Sequence, residues 1–181
     1  GWVAEISIDE NLVEILDSSE VSTFAGSGQM GSSDGTGTNA TFNFPTGIVV
    51  NGTYLYVSDT ENNLIRRIEI SSGEVTTLAG SGEKGSSDGT GTSASFNKPY
   101  GIATDGTHLY VVEYKNHTIR KIVISTGVVT TLAGTAGSSG STDGTSTSAR
   151  FKEPNGITTD GTNLYVSDTL NHTIRKIVIS T

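Results

Sequence analysis

Short hydrophobic runs, separated by glycine-rich and polar stretches, recur along the chain from residue 21 onward. Most are rich in Val, Ile, Leu, Tyr and Thr, and several are bounded by turn-forming dipeptides such as Asn51-Gly52. Runs of this kind predict β-strands rather than helices. Residues 2–8 alternate apolar and polar side chains, which is typical of a half-exposed strand.

These runs belong to a repeated unit. Related hexapeptides (VSTFAG, VTTLAG, VTTLAG) begin at residues 21, 75 and 129, so the step is 54 residues. A Pro-x-Gly-Ile motif, a Leu-Tyr-Val motif and an Ile-Arg-(Arg/Lys)-Ile motif follow with the same step, and one residue is inserted in the last copy. The repeat covers almost all of residues 21–181, so it decides the fold.

Each unit predicts four antiparallel strands, which we name A to D. Strand A begins at Pro-x-Gly-Ile, B contains Leu-Tyr-Val, C contains Ile-Arg-(Arg/Lys)-Ile, and D is the hexapeptide. The Asn-Gly or Asp-Gly dipeptide between A and B predicts a type I′ turn, in which both central residues have positive φ. A Gly/Ser-rich loop (residues 31–38, 85–92 and 140–147) precedes each A strand. Repeated four-stranded units predict an all-β fold made of β-propeller blades.

The turn between strands B and C carries a recognisable signature. Residues 168–176 (DTLNHTIRK) and 113–121 (EYKNHTIRK) resemble the signature of the NHL-repeat β-propellers, and residues 59–67 (DTENNLIRR) are a more divergent copy. The resemblance implies a propeller, commonly of six blades. It also implies that function is variable, because such propellers serve as binding platforms, sensor domains and occasionally lyases or lactonases.

The order of the predicted strands is offset by one. Residues 21–181 contain, in order, one D strand, two complete sets of strands A to D, and a final set of strands A to C. The last blade therefore lacks its D strand, and Val21–Gly26 is an additional D strand. We expect a homodimer of three-bladed half-propellers in which each chain lends Val21–Gly26 to the other, since closed two-fold assemblies are common. Two alternatives stay open: the chain is part of a longer propeller, or residues 1–26 form a degenerate fourth blade.

Charge divides the chain into an acidic segment, residues 1–20, and the repeats, residues 21–181. Six of the 19 acidic residues and none of the 11 Lys and Arg lie in residues 1–20. The net charge of −8 argues against a nucleic-acid partner. No apolar run is long enough for membrane insertion. The 23 Gly, 27 Thr and 23 Ser suggest an extracellular or cell-surface protein, and a cytoplasmic protein is the alternative.

Charged residues recur in every copy of the B–C turn. The functional interpretation is an acid/base pair in each blade, and the structural interpretation is a charge-assisted hydrogen bond that fixes the turn. Repetition favours the structural interpretation, and we assign no catalytic residue. The residues of this blade motif are Asp59, Arg66, Glu113, Asn116, His117, Arg120, Asp168, Asn171, His172 and Arg175.

We expect no metal and no cofactor. Cysteine is absent, which excludes Cys-ligated zinc and thiol nucleophiles. The NHL-like lyases that the repeats resemble hold metal with His side chains in the central channel, and no His here lies on a predicted A strand. Each Gly/Ser-rich loop offers one Asp, too few oxygen ligands for calcium.

Functional residues are expected where the copies differ, because the shared positions build the blade. Lys98, Tyr100, Tyr114 and Lys115 should gather as an aromatic and cationic patch, with Thr46 and Asn155 at the same mouth of the propeller. Such a patch is suited to a protein or an extracellular glycan. We therefore expect a non-catalytic binding or structural module; the alternative is a metal-dependent enzyme of the lyase or lactonase type.

Overall fold

The computed structural model describes residues 19–179. Their strands form three antiparallel sheets, one for each repeat, as the sequence predicts. Residues 1–18, most of the predicted acidic segment, lie outside the described residues, and so does any fourth blade formed by them.

Each sheet is a propeller blade. The first has the order β1 (Gly35–Thr36), β5 (Glu74–Ala79), β4 (Leu64–Glu69), β3 (Tyr54–Asp59) and β2 (Pro45–Asn51). The second has the order β6 (Gly89–Thr90), β10 (Val128–Ala133), β9 (Thr118–Val123), β8 (His108–Glu113) and β7 (Pro99–Thr104). The third contains β11 (Ile157–Thr159), β12 (Asn163–Asp168) and β13 (Thr173–Val178). Single 3-10 turns occupy Gly37–Asn39, Gly91–Ser93, Ser146–Ser148 and Thr169–Asn171.

The predicted strands A to D are β2–β5 in the first blade and β7–β10 in the second. The predicted strands A to C are β11–β13 in the third blade. One feature was not predicted: β1 and β6, which belong to the Gly/Ser-rich loops, pair with the outer edges of β5 and β10. The loop that enters a blade therefore also covers the edge of its last strand.

The A strands bring the blades together, because β2 packs beside β7 and β7 beside β11. The glycine of Pro-x-Gly-Ile makes this approach possible. A Cβ added to Gly101 would lie 2.5 Å from the carbonyl oxygen of Asn155, and one added to Gly47 would collide with the carbonyl oxygen of Tyr100.

The turn between strands A and B differs from the type I′ prediction, which is wrong. Gly106 has φ of +96°, but Asp105 does not have positive φ. Instead, Asp105 Oδ1 accepts hydrogen bonds from the N–H groups of Thr107 (2.8 Å) and His108 (2.7 Å). The aspartate side chain thus closes the turn, as in an Asx-turn.

The hydrophobic core lies between successive blades. One cluster joins Tyr56 and Ile65 of the first blade to Phe96, Leu109 and Val111 of the second. A second cluster joins the opposite face of the second blade to the third: Tyr110, Val112 and Ile119 pack with Phe151, Leu164 and Val166. Alternate residues of a strand face opposite sides of its sheet, so a blade between two others has apolar residues on both faces.

The predicted D strand at 21–26 has no strand partner among the described residues. It nevertheless sits where a D strand should: Gly26 N–H donates to Gly37 O at 3.1 Å, as Gly80 N–H donates to Gly91 O at 3.1 Å one repeat later. Likewise, no strand within residues 19–179 pairs with the outer edge of β13.

Candidate functional site

A buried ion pair lies at the centre of the motif in each blade. The guanidinium on strand C donates to the carboxylate at the end of strand B. Asparagine side chains of the B–C turn donate to the same carboxylates at 2.8 Å. The pairs are Arg66 with Asp59 (2.8 Å), Arg120 with Glu113 (3.0 Å) and Arg175 with Asp168 (2.9 Å).

Two further groups complete the surroundings of each arginine. Its second terminal nitrogen binds the aspartate of the Gly/Ser-rich loop: Asp34 at 2.7 Å, Asp88 at 2.8 Å and Asp143 at 2.7 Å. A phenylalanine ring lies against the guanidinium at about 5 Å: Phe42, Phe96 and Phe151. Sequence reasoning treated the aspartates as loop residues and missed this role; their recurrence once per repeat was the available signal.

Glu113 shows how these carboxylates are held. Burial raises its pKa, while Arg120, Thr118 and the N–H of Asn97 lower it. Its two oxygens accept four hydrogen bonds, from those three groups and from Asn116. The accepting positions of the Glu113 carboxylate are thus occupied by protein donors, which hold it in place.

The signature position that carries His or Asn links the first blade to the second and the second to the third. Asn63, His117 and His172 all have left-handed backbones, with φ of 55°, 61° and 58°. Asn63 Oδ1 accepts from Lys98 N–H at 3.0 Å, and His117 Nδ1 accepts from the N–H of Glu153 at 3.1 Å. His and Asn can replace each other here because both place an acceptor near the next blade.

This contact predicts a pH dependence of stability. Burial lowers the pKa of His117 in the folded chain. In the unfolded chain, His117 has the ordinary histidine pKa of about 6.5. Below this pH, the unfolded chain therefore binds a proton at His117 more readily than the folded chain does. Stability from His117 is therefore present above the unfolded pKa and is lost as the pH falls toward the folded pKa.

We expect His117→Asn to keep the hydrogen bond, as Asn63 does, and to reduce the fall in Tm between pH 7 and pH 5. Thermal unfolding followed by circular dichroism at both pH values measures the difference. Equal falls in the two proteins would contradict the assignment.

Four of the six predicted ligand residues form a contact cluster on one face, which we call the tyrosine patch (Lys98, Tyr100, Tyr114 and Lys115). The rings of Tyr100 and Tyr114 are 5.0 Å apart at an angle of 33°. The ammonium of Lys115 lies 4.8 Å from the centre of the Tyr114 ring. The start of strand A and the B–C turn of the second blade therefore meet on the same side.

The tyrosine patch is charge-balanced and not cationic as expected. Lys98 Nζ binds Glu61 at 2.7 Å, and Lys115 Nζ binds Glu153 at 2.7 Å. Tyr114 also donates its hydroxyl to Glu153, which raises the pKa of Tyr114. The sequence places both glutamates at positions that differ between copies, but it did not predict that they pair with these lysines.

Thr46 and Asn155 take the place of Tyr100 in the other two blades. Thr46 Oγ1 lies 2.7 Å from Thr60 Oγ1 and 3.4 Å from the carbonyl oxygen of Tyr100. Asn155 is exposed, and its carbonyl oxygen accepts from Gly101 N–H at 2.9 Å. Both residues thus contact backbone groups of strand A in the second blade, the carbonyl oxygen of Tyr100 and the N–H of Gly101, and not the Tyr100 ring.

Within residues 19–179, no three His, Asp or Glu side chains are grouped so that they could hold a metal ion. The part of the chain that the structure describes also contains no helix long and apolar enough to cross a membrane.

The fold and the blade motif define a class: antiparallel β-propeller blades in which the same buried pair of an arginine and a carboxylate recurs. No family model matches the chain. NHL repeat-containing protein 2 of Homo sapiens is 35% identical over 139 residues, which cover 70% of this chain. A chloroplastic protein of Arabidopsis thaliana, SUPPRESSOR OF QUENCHING 1, is 30% identical over 164 residues, 86% of this chain. The chain belongs to the NHL-repeat β-propellers.

The matches cover only part of each relative. They span 19% of the human protein and 16% of the Arabidopsis protein. Among solved structures, an auxiliary nutrient binding protein from Bacteroides thetaiotaomicron is 27% identical, with a TM-score of 0.64. That match covers 71% of this chain and 36% of the other.

Proposed function

We propose that this chain is a non-catalytic, extracellular binding module that holds a glycan at the tyrosine patch. The observation that carries the proposal is the contact between Tyr100 and Tyr114 at a position where the other blades have small polar residues. Aromatic rings with a few polar groups are a usual lining for a ligand site. The solved neighbour described as nutrient binding supports a binding role.

The charges around the patch favour an uncharged, hydroxyl-rich ligand. The Lys98–Glu61 and Lys115–Glu153 pairs cancel, so the patch has little net attraction for an ion of either sign. The same pairs offer both donors and acceptors to hydroxyl groups. We consider a protein ligand the second possibility.

A non-catalytic role is supported by the use of the carboxylates. The three that recur at the ends of the B strands are each held by an arginine and an asparagine, in the same way in every blade. An active site needs one such pair, whereas a fold needs one in each blade.

We expect Tyr100→Thr to weaken glycan binding at least tenfold, which is about 1.4 kcal/mol. Threonine occupies this position in the first blade, so the variant should fold normally. A glycan array identifies the ligand, and isothermal titration calorimetry compares the affinities.

Tyr100→Phe is the matched control, since it keeps the ring and should bind within about twofold of the original chain if the ring provides the contact. Equal binding by Tyr100→Thr would contradict the site. A chain that binds no glycan but captures a protein through this face would overturn the glycan assignment.

A further inference from the structure

The acceptor that joins the second blade to the third can take up a proton, whereas the one that joins the first blade to the second cannot. His117 Nδ1 accepts from the N–H of Glu153 at 3.1 Å. A ring nitrogen that accepts carries no hydrogen, so this ring is neutral and its proton is on Nε2. At the other junction, Asn63 Oδ1 accepts from the N–H of Lys98 at 3.0 Å. An imidazole titrates near neutral pH and an amide does not, so the two junctions differ in their response to acid.

Glu153 has a backbone conformation that needs support from its surroundings. Its φ is 47°, and the next residue is Pro154. A proline favours an extended conformation for the residue before it, and a left-handed backbone is uncommon for a residue with a side chain. Such a conformation persists where neighbouring groups hold it. Its support includes three groups of the second blade, the ring of His117, the hydroxyl of Tyr114 and the ammonium of Lys115.

Glu153 also connects this junction to the tyrosine patch. Its Oε2 accepts from the Tyr114 hydroxyl, and its Oε1 binds Lys115 Nζ at 2.7 Å. The Tyr114 ring in turn lies 5.0 Å from the Tyr100 ring. A rotation of the Glu153 backbone would carry the carboxylate away from both of its partners. The contact between the two rings is therefore linked to the backbone that His117 holds.

A proton on His117 Nδ1 removes the acceptor, because the imidazolium carries a hydrogen on each ring nitrogen. Nδ1–H and the N–H of Glu153 would then face each other as two donors. Burial lowers the pKa of His117, Glu153 and Asp168 of the third blade act to raise it, and Lys115 acts to lower it. Asp168 is fully buried and held by Arg175, whereas the Glu153 side chain is 20% exposed. The Glu153 carboxylate is thus the anion that can turn toward the imidazolium.

Between pH 7 and pH 5, the imidazole is the group of this network that changes its charge. Hydrogen bonds from Lys115 and Tyr114 lower the pKa of Glu153, so the carboxylate stays ionised. The hydrogen bond to Glu153 raises the pKa of Tyr114, so the hydroxyl keeps its proton. Burial holds the pKa of His117 below the ordinary value of about 6.5, so its protonation takes place on the acid side of that value.

We propose that His117 is a positioning residue of the tyrosine patch, which is assembled while the imidazole is neutral and released when it is protonated. The neutral ring keeps Glu153 left-handed, and Glu153 holds Tyr114 against Tyr100. When the ring is protonated, Glu153 leaves this conformation and its carboxylate turns from Tyr114 toward the imidazolium. The two tyrosine rings then lose their contact. The inference rests on the proposed function only for its consequence, that a ligand held at the patch near neutral pH is released in acid.

NMR spectroscopy of the full chain without a ligand tests the proposal. The nuclear Overhauser effect between the rings of Tyr100 and Tyr114 should fall by about half or more from pH 7 to pH 5. The fall should follow the titration of the His117 ring protons, while the circular dichroism spectrum stays unchanged. His117→Asn keeps an acceptor, as Asn63 does, but cannot titrate, so the effect should stay constant. His117→Ala has no acceptor and should show the weak effect already at pH 7.

The junction between the first and second blades is the internal control. The amide signal of Lys98, which is bound to Asn63, should not follow the titration of His117. An equal fall in the original chain and in His117→Asn would overturn the proposal, and so would a constant effect while the His117 ring titrates. Unfolding of the whole chain at pH 5 would also overturn it, because the change is local.

The consequence for binding is measured separately. A glycan that binds the original chain equally well at pH 7 and pH 5 would overturn the release in acid. A chain that binds no glycan at either pH would contradict the proposed function alone, since the contact between the rings is measured without a ligand.

Discussion

Replacing Arg120 with methionine is expected to destabilise the protein by about 3–5 kcal/mol, the usual result of removing one member of a buried ion pair. Methionine has a similar length but no charge, so Glu113 would stay buried without its cation. The side chains of Arg120 and Glu113 are both fully buried. The free energy of unfolding from urea titration, followed by circular dichroism, measures the loss.

The chain provides two controls for this experiment. Arg175→Met removes the same pair from the third blade, where the arginine is 12% exposed, so we expect a smaller loss. Adding Glu113→Gln to Arg120→Met removes the uncompensated charge and should recover part of the stability. A loss below about 1 kcal/mol for Arg120→Met would show that the pair behaves like an exposed one.

Gly101→Ala is expected to cost stability at or above the upper end of the 1–3 kcal/mol typical of overpacking. The added methyl group would lie 2.5 Å from the Asn155 carbonyl oxygen and 3.0 Å from the N of Ile157. Both atoms are backbone, so relief requires the second and third blades to separate. The same urea titration measures the effect.

Gly156→Ala is the matched control, because within a single chain its methyl group meets only the Ser167 hydroxyl. We expect the free energy of unfolding to change by less than about 1 kcal/mol in this variant. A similar loss in both variants would mean that a general preference for glycine, and not the approach of the next blade, explains the motif.

The repeat made most of the fold predictable. Aligning the copies located every strand from β2 to β5, from β7 to β10 and from β11 to β13. It also indicated that Tyr100 and Tyr114 would meet, because both differ from their counterparts and both begin or follow strands at one end of the blade. Repetition works here because each copy must satisfy the same contacts with its neighbours.

Contacts between distant residues were harder to predict. The carboxylate of Asp88 binds Arg120, 32 residues away, and its Asp-Gly sequence resembles an ordinary turn. The Glu153 partner of Lys115 is 38 residues away and belongs to the next blade. Local sequence indicates which backbone shape such a residue favours, but not which side chain it meets. The turn at Asp105 was misjudged for a related reason, since its side chain replaces backbone geometry in closing the turn.

The link between blades has a consequence for how such proteins change in evolution. The acceptor at His117 and the donor at Glu153 recur at fixed positions of the unit, as do the apolar faces that meet between blades. A duplicated unit therefore arrives with both halves of its junction already compatible with its neighbours, and no new interface has to be found. Because each unit contacts only its immediate neighbours, a unit added to or removed from the array changes only the junctions beside it.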